Sequence, residues 1–235
     1  MKVVAVVFQD DAGPGVFGST VVDSGFELVE WRPQLGEPEP ADFDAVMVFG
    51  GAMHPHQVDE HPWLESQREW LRGLLAHDVP ALGVCLGAEL LGEAAGGSVV
   101  RLESPEIGWE ETRLTDGASS DPVFGVLPAS FPSLQWHSYA LEPPAGALAR
   151  TAGSAQAYRL ADRAWGIQFH AEVTPAIVEG WIRDAEDTDA EDVREAGVDL
   201  GAMRERTAHE IGAWQELGRG LATRFLAVAR GERQQ

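Results

Sequence analysis

The sequence predicts an α/β protein with a three-layer, mostly parallel open sheet, and the order of its apolar segments indicates this. Short apolar runs typical of buried strands occur at residues 2–8, 43–49 and 80–85. Apolar residues at helical spacing occupy residues 63–77, and a second helical segment follows at 86–95. Strands that alternate with helices favour a parallel sheet covered on both faces, with functional sites at the carboxyl ends of strands.

Two of these strands end in residues suited to a site. The run at residues 43–49 is followed by the pair Gly50-Gly51, and the run at 80–85 ends in Cys85. The helix after Cys85 is expected to stop at Gly96-Gly97, because glycine commonly ends helices. We therefore look for chemistry where these two strands end.

The remainder of the chain divides into a middle part and a helical tail. Residues 99–167 are rich in Pro, Gly and Ser and predict antiparallel strands and loops, ending in a strand at 164–169. We expect one domain over residues 1–175 and a helical C-terminal extension over 176–235, packed on it. Within this extension, seven acidic residues between 184 and 195 indicate an exposed connection.

The longest helical segment of the tail is predicted at residues 203–230. It carries an apolar stripe that we expect to pack on the main domain, as most such stripes do. The stripe consists of Ile211, Trp214, Leu217, Leu221, Phe225 and Leu226.

Composition limits the classes of function that need to be considered. The chain has 235 residues, 44% of them hydrophobic, which is enough for one large domain with a sizeable core. A formal net charge of −21 argues against direct binding of nucleic acid, because contact with phosphates needs clustered cations. No apolar stretch approaches a membrane span, and the first apolar run is too short for a signal peptide. A single cysteine excludes an intrachain disulfide, so we expect a cytoplasmic protein that does not bind membranes.

Cys85 is the residue whose setting is most informative. An apolar run precedes it, Gly83 and Gly87 flank it, and an apolar helix-prone segment follows, which predicts a strand, a sharp turn and a helix. The unpaired N–H groups and the dipole at a helix N-terminus favour a thiolate there. Cys85 is thus a candidate nucleophile, although a lone buried cysteine is more often inert packing.

A base for this nucleophile is available near the end of the middle part. His170 follows an apolar run and is expected to emerge at a strand end, and Glu172 lies on the same side in an extended segment. Acyl transfer also needs oxyanion donors, and the main-chain amides of Gly51 and Leu86 are candidates. Either His170 or Cys85 alone is explained as well by a structural role, but together with the glycine pair they predict a catalytic site.

Over residues 1 to about 175 the chain resembles the class I glutamine amidotransferases, and most closely the stand-alone proteins similar to the glutaminase domain of GMP synthase. The turn at Cys85 and the His-x-Glu segment together are highly specific, whereas the glycine pair alone is weak. The motifs that carry the resemblance are Gly50-Gly51-Ala52-Met53, the Cys85 turn, Ile107-Gly108-Trp109, Gln135-Trp136-His137-Ser138 and residues 166–172.

The resemblance implies a flavodoxin-like fold and a glutaminase reaction. In that reaction Cys85 attacks the side-chain amide of glutamine, His170 moves the proton, Glu172 orients the imidazole, and Gly51 and Leu86 stabilise the oxyanion. Water then hydrolyses the glutamyl thioester, and ammonia passes to a synthetase active site. No synthetase motif is evident, so a separate synthetase subunit is the expected partner. No cofactor is implied.

Four positions depart from the family pattern. Glu89 stands where the family has Gln, in a position that contacts bound glutamine, so a different γ-glutamyl amide becomes an alternative substrate. Ala171 replaces the usual Pro between His170 and Glu172, which is expected to be tolerated. Ser138 and Tyr139 replace the usual Gly-Asp in a loop that borders the substrate.

The resemblance also predicts which residues bind the substrate. They are Gly50, Glu89, His137, Ser138 and Tyr139. Two alternatives to a glutamine amidotransferase remain open: a γ-glutamyl hydrolase that uses the same triad, and a non-catalytic binding protein with the same fold.

A cluster of histidines raises the separate question of a metal site. His54, His56 and His61 lie close to Asp59 and Glu60 in the sequence. Their spacing matches no rigid helical pair, so we expect no bound metal.

Overall fold

The computed structural model describes residues 1–144 and 146–231, which form an α/β fold around one sheet. The strands are β1 (Lys2–Val6), β2 (Glu27–Trp31), β3 (Ala45–Val48), β4 (Ala81–Val84), β5 (Ser98–Leu114), β6 (Ser130–Glu142), β7 (Ala149–Arg150), β8 (Ala155–Ala161) and β9 (Ala164–Ile167). The helices are α1 (Gly15–Asp23), α2 (Trp63–Ala76), α3 (Leu86–Ala94), α4 (Pro175–Thr188), α5 (Glu191–Ala196) and α6 (Leu200–Ala229). Two short 3₁₀ turns lie at Pro33–Leu35 and Asp116–Ser120.

The sheet joins a parallel half to an antiparallel half. Within the described residues its strand order is β2-β1-β3-β4-β9-β8-β7-β5-β6. The five strands from β2 to β9 are parallel, and each pairing from β9 to β6 is antiparallel. The predicted fold class, α/β with a mostly parallel open sheet, is confirmed.

The alternation of side chains along β1 shows how the three layers form. Val3 and Ala5 face one core with Phe17 of α1 and Phe225 of α6, whereas Val4 faces the opposite core, which includes residues of α2 and α3. Because successive strand residues point to opposite faces, a continuously apolar strand is the pattern of a sheet covered on both sides.

The predicted strands and helices are present, with ends that differ by a few residues, but two predictions were incomplete or wrong. Neither α1 nor the edge strand β2 was predicted; in β2 the two acids, Glu27 and Glu30, are exposed and only Trp31 is buried. The segment of residues 184–195 was expected to be an exposed connection, but α4 extends to Thr188 and α5 begins at Glu191. This segment is helical because Ala185 and Val193 are buried while its acids face solvent.

The helical tail packs on the sheet through its apolar stripe. Trp214, Leu221, Phe225 and Leu226 are buried in the core that also holds β1. The division into units at residue 175 stays a prediction, and residues 232–235 of the predicted extension lie outside the described residues. No helix in the described ranges is long and apolar enough to cross a membrane.

Candidate active site

Cys85 occupies a sharp turn between β4 and α3. Its φ of 51° lies in the left-handed region, and its N–H donates to the Ile167 carbonyl at 2.8 Å. The turn is crowded: a Cβ at Gly83 would lie 2.6 Å from the Ala88 main chain, and one at Gly87 would clash with the Val48 carbonyl. A residue held in a sparsely populated backbone conformation by such packing is common at functional sites.

His170 and Glu172 lie beyond the carboxyl end of β9, which is the neighbour of β4. The His170 Nδ1–H donates to Glu172 Oε1 at 2.8 Å, and the two residues are 3% and 2% exposed. The second ring nitrogen, Nε2, is buried without a hydrogen-bond partner among the described residues. The imidazole lies close to the Cys85 thiol, so the three predicted triad residues come together.

The protonation of this pair follows from burial and from Glu172. Burial raises the pKa of the Cys85 thiol. The nearby His170 ring and a hydrogen bond from the Leu86 N–H lower this pKa, but by less than burial raises it. Burial lowers the pKa of His170, but the charges of Glu172 and Cys85 outweigh it and raise that pKa to about 10. Glu172 therefore favours an imidazolium next to the thiol, which is the charge that a thiolate needs.

The predicted oxyanion and glycine residues surround the thiol. A Cβ placed on Gly50 would lie 3.5 Å from both the Cys85 Cβ and the His170 Cε1, so this glycine adjoins both reactive side chains. Gly51 and Leu86 line the same cavity as Cys85, and the Leu86 N–H points at the sulfur. The role of these two amides as oxyanion donors stays a prediction.

A cavity of about 400 Å³ opens in front of Cys85 and His170. Besides these two residues it is lined by Gly51, Leu86, Glu89, His137, Ser138 and Tyr139, all of which were predicted from the sequence as site residues. The outer wall comes from the helical tail, where Trp181, Asp184 and Asp192 line the cavity.

Glu89 is a buried carboxyl on α3, 3% exposed, that borders this cavity. Its Oε1 accepts a hydrogen bond of 2.9 Å from Gln168 Nε2. Burial raises its pKa, against the effects of the Gln168 hydrogen bond and of the charge on His137. A carboxylate at this position favours a positively charged group on a bound molecule.

Of the three clustered histidines, His54 lines the cavity. His54 stacks on the Tyr139 ring at 4.6 Å between centroids, and His56 Nε2 lies 3.1 Å from Glu93. Within residues 1–144 and 146–231, no three His, Cys, Asp or Glu side chains are grouped so as to hold a metal ion.

Three residues that support this site were not predicted from the sequence. Trp181 of α4 sets its ring edge-on to His170 at 4.7 Å, and Trp214 of α6 donates to the His170 carbonyl at 2.7 Å. Glu106 of β5 is buried 3.1 Å from His137 Nε2. Of the three, only Trp214 was marked in the sequence, as a member of the apolar stripe. Trp181 and Glu106 were not, because tertiary contacts of this kind leave no local pattern.

Comparison with known proteins identifies one family. Residues 20–179 match the family model of glutamine amidotransferase class-I. The chain is 29% identical over 197 residues to the glutamine amidotransferase-like protein YfeJ of Salmonella typhimurium, covering 79% of this chain and 82% of that protein. It is also 29% identical over 155 residues to one subunit of the glutamine-hydrolyzing GMP synthase of Sulfolobus acidocaldarius, covering 63% of this chain and 78% of that protein.

Longer relatives and solved structures complete the comparison. The glutamine-hydrolyzing GMP synthase of Thermomicrobium roseum is 32% identical over 150 residues, which are 63% of this chain but only 27% of that protein. A glutamine amidotransferase structure from Thermotoga maritima superposes with a TM-score of 0.84 at 22% identity, covering 96% of this chain and 98% of the other. One from Methylobacillus flagellatus gives 0.80 at 24% identity, covering 100% and 96%. The two structures show the likeness of the fold.

Proposed function

The chain belongs to the class I glutamine amidotransferase family, and we propose that it hydrolyses the side-chain amide of glutamine through a glutamyl thioester on Cys85. The arrangement of Cys85, His170 and Glu172 carries this proposal. The nucleophile sits at a helix N-terminus, His170 keeps a ring nitrogen free for proton transfer, and Glu172 holds the other nitrogen at 2.8 Å.

The first half-reaction forms the thioester. In the reactive form His170 carries the proton from the Cys85 thiol on Nε2 in addition to its Nδ1 proton, so that His170 is an imidazolium and Cys85 is a thiolate. The sulfur attacks the amide carbon, and the carbonyl oxygen becomes an oxyanion beside the Gly51 and Leu86 amides. When the C–N bond breaks, the imidazolium gives its proton to the leaving nitrogen, which departs as ammonia.

The second half-reaction releases glutamate. His170, now neutral, takes a proton from water as the water attacks the thioester carbon, and the thiolate leaves. Glu172 keeps the ring in one orientation through both steps and stabilises its charged form. The net change is glutamine plus water to glutamate plus ammonia, with no metal in the scheme.

The ammonia is proposed to reach a separate synthetase. Support comes from the Sulfolobus relative, which is named as one subunit of a glutamine-hydrolyzing GMP synthase. The matched part is about a quarter of the Thermomicrobium GMP synthase, so the chain corresponds to a portion of that protein. In this proposal the partner synthetase binds the molecule that accepts the ammonia.

The direct experiment measures glutamate and ammonia released from L-glutamine, with and without a candidate synthetase. Wild type should be active, and Cys85→Ala and His170→Asn should lose at least about a thousandfold in kcat. His209→Asn, at an exposed position of α6, is the matched histidine control and should keep full activity. Equal ammonia release by wild type and Cys85→Ala would refute the proposal.

A second candidate function is hydrolysis of another γ-glutamyl amide. It is favoured by the Glu89 carboxylate and by the cavity of about 400 Å³, whose lining includes Asp184 and Asp192 of the helical tail as well as Cys85. This volume lies in the range that bound small molecules occupy, about 300–1,000 Å³.

A panel of γ-glutamyl amines and peptides, assayed beside free glutamine, separates the two candidates. Higher kcat/KM for an N-substituted amide supports the γ-glutamyl hydrolase, and higher kcat/KM for glutamine supports the glutaminase. Absence of turnover on every substrate, with Cys85 unreactive to alkylation, would instead favour the non-catalytic binding protein.

A further inference from the structure

Glu106 lies at the centre of a buried polar network that the reaction above does not use. It is on β5, directly opposite His137 on β6, and is 7% exposed. The register between β5 and β6 shifts just before it, between Arg101 and Glu106. Such a bulge re-aims side chains and is often found next to functional sites.

The groups around Glu106 all donate to it. Thr151 Oγ1 donates to Oε1 at 2.6 Å, while Ser154 Oγ and Gln156 Nε2 each donate to Oε2 at 2.7 Å. Thr151 Oγ1 already accepts from the Ser154 N–H, so its own proton is directed to the carboxylate. A carboxylate surrounded by donors is held in its ionised form.

The loop that supplies these donors is closely fitted to the carboxylate. A Cβ on Gly153 would lie only 2.5 Å from Glu106 Oε1. Burial acts to raise the pKa of Glu106, but hydrogen bonds from His137, Thr151 and Ser154 outweigh it and lower that pKa overall. Glu106 is therefore a fixed negative charge inside the protein.

His137 lies against this carboxylate, and both its ring nitrogens face acceptors. Nδ1 lies 2.8 Å from the Tyr139 carbonyl, which only accepts. Nε2 lies 3.1 Å from Glu106 Oε2 and 3.2 Å from Gln135 Oε1, and the amide nitrogen of Gln135 is turned away to Ser133. Each ring nitrogen thus faces an acceptor, and a proton on both nitrogens would satisfy every one of these contacts.

His137 borders the substrate cavity next to the carboxyl group of Glu89. His137 lines the cavity together with Glu89, and its charge acts on Glu89. The wall thus presents a carboxyl group and an imidazole side by side. Glu110 of β5, near Arg206 of α6, also faces this network. Glu93 and His56 act on Glu89, and Arg101, Asp184 and Asp192 line the same cavity. A free α-amino acid carries a matching pair of charges, an ammonium and a carboxylate.

We infer that Glu106 is a positioning residue that fixes His137 as a cation on the cavity wall, where this charge selects γ-glutamyl substrates with a free α-carboxylate. The inference rests on the proposed function for the identity of the substrate. Both His137 N–H groups are engaged within the protein, so the ring acts on the substrate through its charge and not through a direct hydrogen bond. Glu106 itself touches no reacting atom.

The first test is spectroscopic and needs no turnover. Nitrogen chemical shifts of ¹⁵N-labelled protein at neutral pH, with His137 assigned through His137→Gln, report whether each ring nitrogen carries a proton. The inference expects both nitrogens protonated in wild type and one in Glu106→Gln. A singly protonated His137 in wild type overturns the inference, whether or not the protein hydrolyses glutamine and whether or not Glu106→Gln folds.

The second test is kinetic and compares L-glutamine with its α-carboxamide, which lacks the α-carboxylate. In Glu106→Gln the preference for glutamine should fall about tenfold, through KM, with kcat changed by less than about threefold. Glu111→Gln, an exposed carboxyl on the same strand, is the matched control, and Ser154→Ala, which keeps the Glu106 charge, should also retain the preference. A preference unchanged in Glu106→Gln, or lost equally in Ser154→Ala, contradicts the assignment.

Discussion

Trp214 donates its indole N–H to the main-chain carbonyl of His170 at 2.7 Å. One helical turn further along α6, Gly218 lies against the carbonyl of Ala171, so close that a Cβ there would clash with it. The long helix of the tail thus contacts two successive carbonyls of the backbone, those of His170 and Ala171. The tail therefore helps to position His170, the proposed base, in addition to covering the sheet.

Replacing Gly218 by Ala should separate α6 from this segment. The new methyl group must displace either the helix or the Ala171 carbonyl, which we expect to cost about 1–3 kcal/mol in the free energy of unfolding. Thermal unfolding temperature and ammonia release should both decrease. Gly212→Ala, in the same helix with nothing within 4 Å of its new Cβ, is the control and should be neutral or stabilising by up to about 1 kcal/mol. Identical behaviour of the two variants would show that α6 does not bear on the site.

Replacing Trp214 by Phe tests the hydrogen bond alone. The ring packing against Phe131 and Phe169 is largely kept, but the buried His170 carbonyl loses its donor, at a cost of about 1–3 kcal/mol. We expect a folded protein with a lower kcat and a nearly unchanged KM, because the change displaces His170 and not the substrate wall. An increase in KM at constant kcat would place the role of Trp214 elsewhere.

The pH dependence of Cys85 alkylation tests the electrostatics of the pair. Burial raises the pKa of the thiol, so the iodoacetamide reaction of wild type should reach half its maximum rate at a higher pH than free cysteine does. Glu172→Gln removes the charge that raises the pKa of His170, so the ring becomes neutral at lower pH and no longer supports the thiolate. The midpoint should then move further upward. A midpoint that is unmoved, or moved downward, argues against the proposed role of Glu172.

The carboxylate of Glu89 is expected to bind the α-ammonium group of the substrate. In wild type, L-glutamine should be hydrolysed with a higher kcat/KM than glutaramate, its analogue without the amino group. Glu89→Gln keeps an acceptor for Gln168 but removes the charge, so this preference should fall about tenfold, as for one charge-assisted hydrogen bond. If Glu89→Gln instead improves glutamine hydrolysis and leaves the preference intact, the carboxylate opposes substrate binding.

The parts of the fold that were predicted correctly are those whose local pattern and tertiary environment agree. β1, β3 and β4 are continuously apolar because helices cover both their faces, and α2 has a clear apolar side. The edge strand β2 has no such pattern, since it is paired on one side and partly exposed. The segment of residues 184–195 has the composition of a loop, because only Ala185 and Val193 within it are buried.

The same distinction applies to the site. Cys85 could be found from the sequence because glycines flank it between a strand and a helix. His170 and Glu172 could be found because they lie two residues apart after an apolar strand. Trp181 and Glu106 could not, because they reach the site from other elements and only the folded structure brings them close. The assignment of catalytic and binding roles remains a prediction that experiments on this chain must test.

The most direct test of the central claim is covalent labelling by a diazoketone analogue of glutamine, followed by mass spectrometry of the intact protein and of its peptides. We predict one adduct per chain, located on Cys85, slowed by competing L-glutamine and greatly slowed in His170→Asn but not in His209→Asn. An unlabelled Cys85, or labelling that glutamine does not slow and His170→Asn does not affect, would contradict the claim that Cys85 is the nucleophile of a glutamine site.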